Sequence, residues 1–135
     1  MTLFVDASAL IAIIAGEPDA DALSDRLDAD PARLCSAISL WETIAGLVRS
    51  YQFTVEAARL RTQEFCAAGD IRLVPIGAAE FALAVEAYAR YGKGRHPASL
   101  NMGDCHAYAC TKAHGATLLF KGDDFSRTDL AQSAP

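Results

Sequence analysis

The 135-residue sequence lacks any run of uncharged apolar residues approaching the roughly 20 that cross a bilayer, and it lacks a basic segment followed by a hydrophobic one near its start. No membrane association is expected, and a cytoplasmic location is. No Cys-x-x-Cys pair occurs. Cys35, Cys66, Cys105 and Cys110 each sit among apolar or small neighbours, so buried free thiols are expected rather than disulfides or a zinc site. His96, His106 and His114 show no ligand-like spacing. Basic residues are the minority, 12 against 17 acids, for a formal charge of -5. That balance argues against a broad cationic surface gripping nucleic acid. It leaves room for a small basic patch, and for acids that hold a divalent cation which in turn meets phosphate. Repeats, low-complexity linkers and strong hairpin turns are also missing. A single domain over 1–135 is expected.

Short β-prone runs alternate with helical patterns. Strands are expected at 2–5, 33–37, 71–76 and 117–120, with a marginal strand or extended piece after Ser126. Helices are expected at 7–15, closed by Gly16, from Glu17-Pro18-Asp19 to about Asp28, and at 54–67, 78–91 and 102–113. Ser39-Leu40-Trp41-Glu42 has the spacing of a capping box and opens a further helix to about Ser50. That helix is apolar around most of its girth, leaving Glu42, Gly46 and Arg49 as a narrow polar strip. In the 78–91 helix, Phe81, Ala84, Val85 and Tyr88 form the expected buried stripe, and in the 102–113 helix Met102, Cys105 and Ala109 do. Gly92 to Pro97 reads as a mobile, basic loop. The alternation predicts an α/β fold, a mainly parallel sheet flanked by helices on both faces.

In such a sheet the ligand crevice lies outside the C-terminal strand ends. Asp6 follows the first strand and Asp123-Asp124 follow the fourth. Glu42 and Asp104 open helices at the same end. Each acid has a plain alternative, since Asp6, Glu42 and Asp104 also suit helix starts and Asp123 and Asp124 suit a turn. Gathered together, they would repel one another unless a hard cation such as Mg²⁺ or Mn²⁺ took their oxygens. That chemistry is metal-assisted phosphodiester hydrolysis.

Phe4-Val5-Asp6-Ala7-Ser8-Ala9-Leu10, the helix start from Ser39 to Glu42, Leu100-Asn101-Met102-Gly103-Asp104-Cys105 and the segment from Leu118 to Asp129 together resemble the PIN-domain ribonucleases, and more narrowly the VapC toxins of type II toxin–antitoxin pairs. The resemblance covers essentially the whole chain. It implies a PIN-like three-layer fold and an Mg²⁺- or Mn²⁺-dependent endoribonuclease, usually a homodimer, neutralised by a small VapB-like antitoxin. It assigns the acidic tetrad to Asp6, Glu42, Asp104 and Asp124, with Asp123 as second choice in the last turn and a metal contact through water. It also gives auxiliary roles to Ser8 near Asp6, Asn101 at the Asp104 loop and Thr128 in the last turn. Arg90, Lys93, Arg95, Lys112 and Lys121 are the candidates for RNA phosphates. A metal-dependent phosphatase using Asp6 as nucleophile is the alternative enzyme, disfavoured because Ser8 stands where a second acid would be wanted. A non-catalytic RNA-binding adaptor is the alternative without chemistry.

Overall fold

The computed structural model describes residues 1–131. Four parallel strands, β1 (Thr2–Val5), β2 (Ala32–Cys35), β3 (Ile71–Leu73) and β4 (Thr117–Leu119), lie in the order β3-β2-β1-β4. In register, Phe4 stands beside Leu34 on one side and Leu118 on the other. Six helices connect them: α1 (Ala7–Ala15), α2 (Ala20–Ala29), α3 (Ala37–Tyr51), α4 (Val55–Ala68), α5 (Ala78–Tyr91) and α6 (Met102–Ala113). The chain steps outward from β1 to β2 to β3, then returns across β1 to place β4 on its far side. The strand order therefore reverses between β1 and β4, and the crevice of a parallel sheet opens at such a point.

The period-two alternation of the strands sorts the core into two layers. Phe4, Leu34 and Leu118 pack with Ala84, Ala87 and Tyr91 of α5 and Ala107 and Cys110 of α6. Leu3, Val5, Cys35 and Leu119 point the other way, onto Ala9, Leu10 and Ala12 of α1 and Leu23 and Leu27 of α2. A satellite cluster of Ile14, Leu47 and Ala58 joins α1, α3 and α4. The expected three-layer α/β architecture is what forms, and all four cysteines are free.

Several local expectations are corrected. α3 begins earlier than the capping-box spacing predicts. Its cap is Ser36, whose Oγ accepts from Ser39 N–H and donates to Ser39 Oγ, both at 3.2 Å. Ser39 is thus inside the helix and Glu42 falls in the second turn. Gly46 is not part of an open polar strip, because it is buried where a Cβ would overlap Ile11 of α1. The buried side of α5 is Ala84, Ala87 and Tyr91, which leaves Phe81, Val85 and Tyr88 exposed. Met102 is exposed too, so the first buried side chain of α6 beyond the glycine at 103 is Cys105. After β4 the chain forms a 3-10 turn (Phe125–Arg127), and the described residues contain no fifth strand. The 92–97 loop is pinned at its base by Lys93 N–H to Leu100 O and Leu100 N–H to Tyr91 O, each 2.9 Å.

The Ser36 hydroxyl is fully buried and satisfies the first turn of the helix that carries Glu42. Ser36→Ala is expected to cost about 0.5–2 kcal/mol, the usual range for a lost cap, and urea unfolding measures it.

Candidate active site at the C-terminal edge of the sheet

Asp6 leaves β1 directly into α1 and caps it. Its Oδ2 accepts from Ser8 N–H at 3.0 Å and from Ser8 Oγ at 2.5 Å, and the residue is only 5 % exposed. Ser8 Oγ in turn accepts from the Lys121 N–H at 3.0 Å. One hydroxyl thus ties the end of β1 to the chain leaving β4. Asp104 is likewise held by a local bond. Its Oδ2 accepts from Asn101 N–H at 3.1 Å while Asn101 Oδ1 accepts from Asp104 N–H at 2.9 Å, a reciprocal cap at the start of α6. The capping readings of Asp6 and Asp104 therefore hold, and capping fixes both carboxylates at this edge rather than competing with a role there.

Glu42 reaches the same place from α3. A Cβ on Gly103 would overlap all three atoms of the Glu42 carboxyl group, so the absence of a side chain at 103 lets that group lie against the first turn of α6. Asp124 comes from the turn after β4. Buried Phe125 packs edge-on against Phe120 with ring centroids 5.3 Å apart, anchoring the turn immediately beyond Asp124.

Asp6, Glu42 and Asp104 each feel other acids of the set. Burial raises Asp6 above the usual aspartate range, against the Ser8 and Ala7 hydrogen bonds that stabilise its charge, and Asp124 raises it further. Burial also raises Glu42, with Asp6 adding to the shift and His106 and Arg49 opposing it. Asp104 is pushed up to about 7, chiefly by burial and then by Asp6, Asp124 and Glu42, against the bond from Asn101. Asp124 acts on both Asp6 and Asp104, whereas Asp123 is not among the charges felt by Asp6, Glu42 or Asp104. Asp123 instead shapes the turn, its carbonyl accepting from Ser126 N–H and Oγ. Thr128 does the same one step later, donating to Phe125 O at 2.8 Å and accepting from Leu130 N–H at 3.1 Å.

Among the described residues, no three acidic, histidine or cysteine side chains already stand as a coordination group. The donor chemistry nevertheless fits a hard divalent cation. Carboxylates from four separated segments are concentrated at one edge, and burial and mutual repulsion make three of them harder to ionise until positive charge arrives.

That edge can be compared with known proteins. A family model described as PIN domain matches residues 3–130. The chain belongs to the PIN-domain family. It is 41% identical over 129 residues to a protein named Ribonuclease VapC from Mycolicibacterium smegmatis, covering 96% of this chain and 98% of the relative. It is 40% identical over 132 residues to Ribonuclease VapC30 of Mycobacterium tuberculosis, covering 98% of both. Among solved PIN-type folds, the crystal structure of Mycobacterium tuberculosis VapC20, described as a sarcin–ricin loop cleaving toxin, superposes with a TM-score of 0.71 at 22% identity, covering 93% of each chain. A toxin–antitoxin complex from Klebsiella pneumoniae gives 0.68 at 20%, covering 100% of this chain and 96% of that one. Both structures share this PIN fold. No helix of the described residues is long and apolar enough to cross a membrane.

The five cations singled out in the sequence are not equivalent in this PIN domain. Lys121 is bound to Glu17 and lies 3.1 Å from Asp19, and Lys112 lies 2.8 Å from Asp129. Arg90 is 3.7 Å from Glu86 and donates to Tyr91 Oη at 2.7 Å. Among the described residues, Lys93 and Arg95 make no ion pair. Helical spacing places Arg49 on the same strip as Glu42, but it does not reveal the other neighbour, His106. Gly103 was the available signal, since a glycine in a first helical turn marks a close approach and His106 follows it by three residues on the same face.

The raised carboxylate values fix the sign of a pH effect. Between the ordinary aspartate range and about 7, folded Asp104 keeps a proton that the unfolded chain has released, so stability falls as pH rises through that window. Without divalent cations, thermal unfolding should show a lower Tm at about pH 8 than at about pH 5. Asp104→Asn, which retains a capping oxygen without the charge, should flatten this slope and raise the Tm at the higher pH.

Proposed function

We propose that this chain is a divalent-metal-dependent endoribonuclease toxin, restrained by a small VapB-like antitoxin. The observation that carries this reading is the arrival of Asp6, Glu42, Asp104 and Asp124 from four separate segments at the strand-order reversal, where Glu42 is seated on Gly103 beside Asp104 and the charges of Asp6 and Asp124 reach Asp104. The full-length similarity to proteins named ribonuclease VapC supports RNA as the substrate class. Asp6, Glu42, Asp104 and Asp124 would hold Mg²⁺, or Mn²⁺ in its place, with Asp123 contributing through water. When bound, such an ion supplies activation of water and compensation of charge on the phosphate and the leaving oxygen. Asp6 and Asp104 are held in place by Ser8 and Asn101, and Glu42 is seated on Gly103, so the chain itself orients the oxygens. The expected products carry a 3′-hydroxyl and a 5′-phosphate.

The antitoxin reading has its own support. Trp41 is 71 % exposed and Val55 65 %, and with Ile44, Ala45 and Val48 they border an apolar cavity between α3 and α4. This face suits the apolar side of an amphipathic segment, and a basic residue delivered from such a segment would offset the acidic edge. The solved toxin–antitoxin complex with the same fold is consistent with that partnership. Homodimerisation, the usual state in this family, is part of the proposal, and light scattering reads it.

Cleavage of RNA by purified protein should require added Mg²⁺ or Mn²⁺, stop with EDTA, and fall by at least about a hundredfold in Asp104→Asn, as expected when an electrostatic element of a site is removed. Cleavage unaffected by both changes contradicts the proposal. The double variant Lys93→Ala, Arg95→Ala should weaken RNA binding and lower the slope of log affinity against log salt by about 2, roughly 1 for each lost phosphate contact. Filter binding across a salt series measures it.

A further inference from the structure

A groove of about 500 Å³ runs along α5 and the first turns of α6, bordered by Phe81, Val85, Tyr88, Lys93, Met102 and His106. Asn101, which caps Asp104, and His106, which acts on Glu42, both line it, so the groove adjoins the acidic edge. We infer that this groove is a nucleobase subsite, in which Tyr88 stacks an unstacked base of single-stranded RNA whose backbone runs past Lys93 and Arg95 beside the acidic edge. The inference rests on the RNA-cleaving reading and specifies how the strand would be held.

Three observations carry it. The first is the seating of Tyr88. A Cβ on Gly92 would overlap both the Tyr88 carbonyl and the ring carbon Cδ1, so glycine at 92 lets the ring lie against the backbone. Arg95 stands over the ring, its guanidinium carbon 5.2 Å from the centroid, yet Tyr88 stays 49 % exposed. An aromatic ring fixed in this way loses little freedom when a base stacks on it.

The second observation is the charge around the groove. Lys93 lines it and Arg95 stands over Tyr88, and among the described residues neither cation has an acid partner. Arg90, Lys112 and Lys121 are all taken up in ion pairs. In a chain of net charge -5, Lys93 and Arg95 therefore bring uncompensated positive charge to the groove itself, as Arg49 does beside Glu42. A phosphate chain needs such charge to approach four carboxylates, and a purely apolar partner does not.

The third is the position of Met102, exposed at the first residue of α6 with His106 one turn further on. His106 Nδ1 is held 2.8 Å from Met102 O, which fixes the ring at the groove wall. Aromatic, thioether and imidazole groups in one concave site match a flat heterocycle, and stacking of this kind tolerates any base.

The test uses fluorescence anisotropy on the intact protein in EDTA, so that binding is read without cleavage. The probes are a short single-stranded oligoadenylate and the matching abasic ribose-phosphate oligomer. Tyr88→Leu keeps the apolar bulk and removes the aromatic face, while Tyr88→Phe keeps the face. Tyr88→Leu should weaken oligoadenylate binding about tenfold, the low-to-middle effect of losing one stacked base. Tyr88→Phe should bind within about twofold of the unaltered protein, and the abasic oligomer should bind all three equally. Oligoadenylate binding unchanged in Tyr88→Leu, or an equal loss for the abasic oligomer, overturns the subsite and leaves the groove to a protein partner or a second copy. A parallel arm with Mg²⁺ and unaltered protein scores cleavage. Base-dependent binding without cleavage would sink the nuclease reading and leave the subsite standing, whereas cleavage without any Tyr88 effect would do the reverse.

Discussion

Like charges brought together out of water are the constraint from which this structure is best understood. Asp6, Glu42, Asp104 and Asp124 come from the ends of two strands and from two helices, and burial together with their neighbours makes the first three harder to ionise than ordinary carboxylates. A fold tolerates such a cluster only if local bonds hold each member in place. Here the bonds are helix caps. Asp6 closes the start of α1 and Asp104 the start of α6, so part of the cost of gathering acids is offset by satisfying backbone donors that every helix start leaves open. The contacts that cap the two helices are also the ones that hold these acids at the edge.

Close approach at glycine is the second device. Gly103 leaves room for the Glu42 carboxyl group, and Gly92 leaves room for the Tyr88 ring. In both cases a missing Cβ lets a side chain lie against the backbone at that position. The two seats flank the entry to α6, one on the acidic side and one on the apolar side. The Ser8 hydroxyl completes the frame by tying Asp6 to the backbone leaving β4.

Much of this was legible from residues alone, for identifiable reasons. The strands alternate with long periodic helices, so the parallel sheet and the bounds of α5 and α6 followed from pattern and from Asn101 as a cap. The edge on which the acids gather followed from chain direction in a parallel sheet. The buried side of α5 did not, because large apolar residues at helical spacing are found both in cores and on surfaces kept for partners. Phe81, Val85 and Tyr88 belong to the exposed face, while the small Ala84 and Ala87 with Tyr91 fit the tight contact with α6. The start of α3 is ambiguous in the sequence because Ser36 and Ser39 both suit a cap, and only the backbone decides which serine stands outside the helix. Trp41 shows the same ambiguity as α5, an apolar residue left in solvent. Pairing of Lys112 with Asp129 and of Lys121 with Glu17 joins residues far apart in sequence, so spacing could not separate those cations from Lys93 and Arg95.

The central claim is that the fold gathers these acids so that a divalent cation can relieve their repulsion. Its most direct measurement is residue-resolved NMR of the protein titrated with Mn²⁺ at neutral pH, where paramagnetic broadening reports distance from the ion. The account predicts that signals from residues around Asp6, Glu42, Asp104 and Asp124 broaden together at substoichiometric Mn²⁺, and that Mg²⁺ competes the effect away. Broadening centred elsewhere, or none near these four residues, would contradict it.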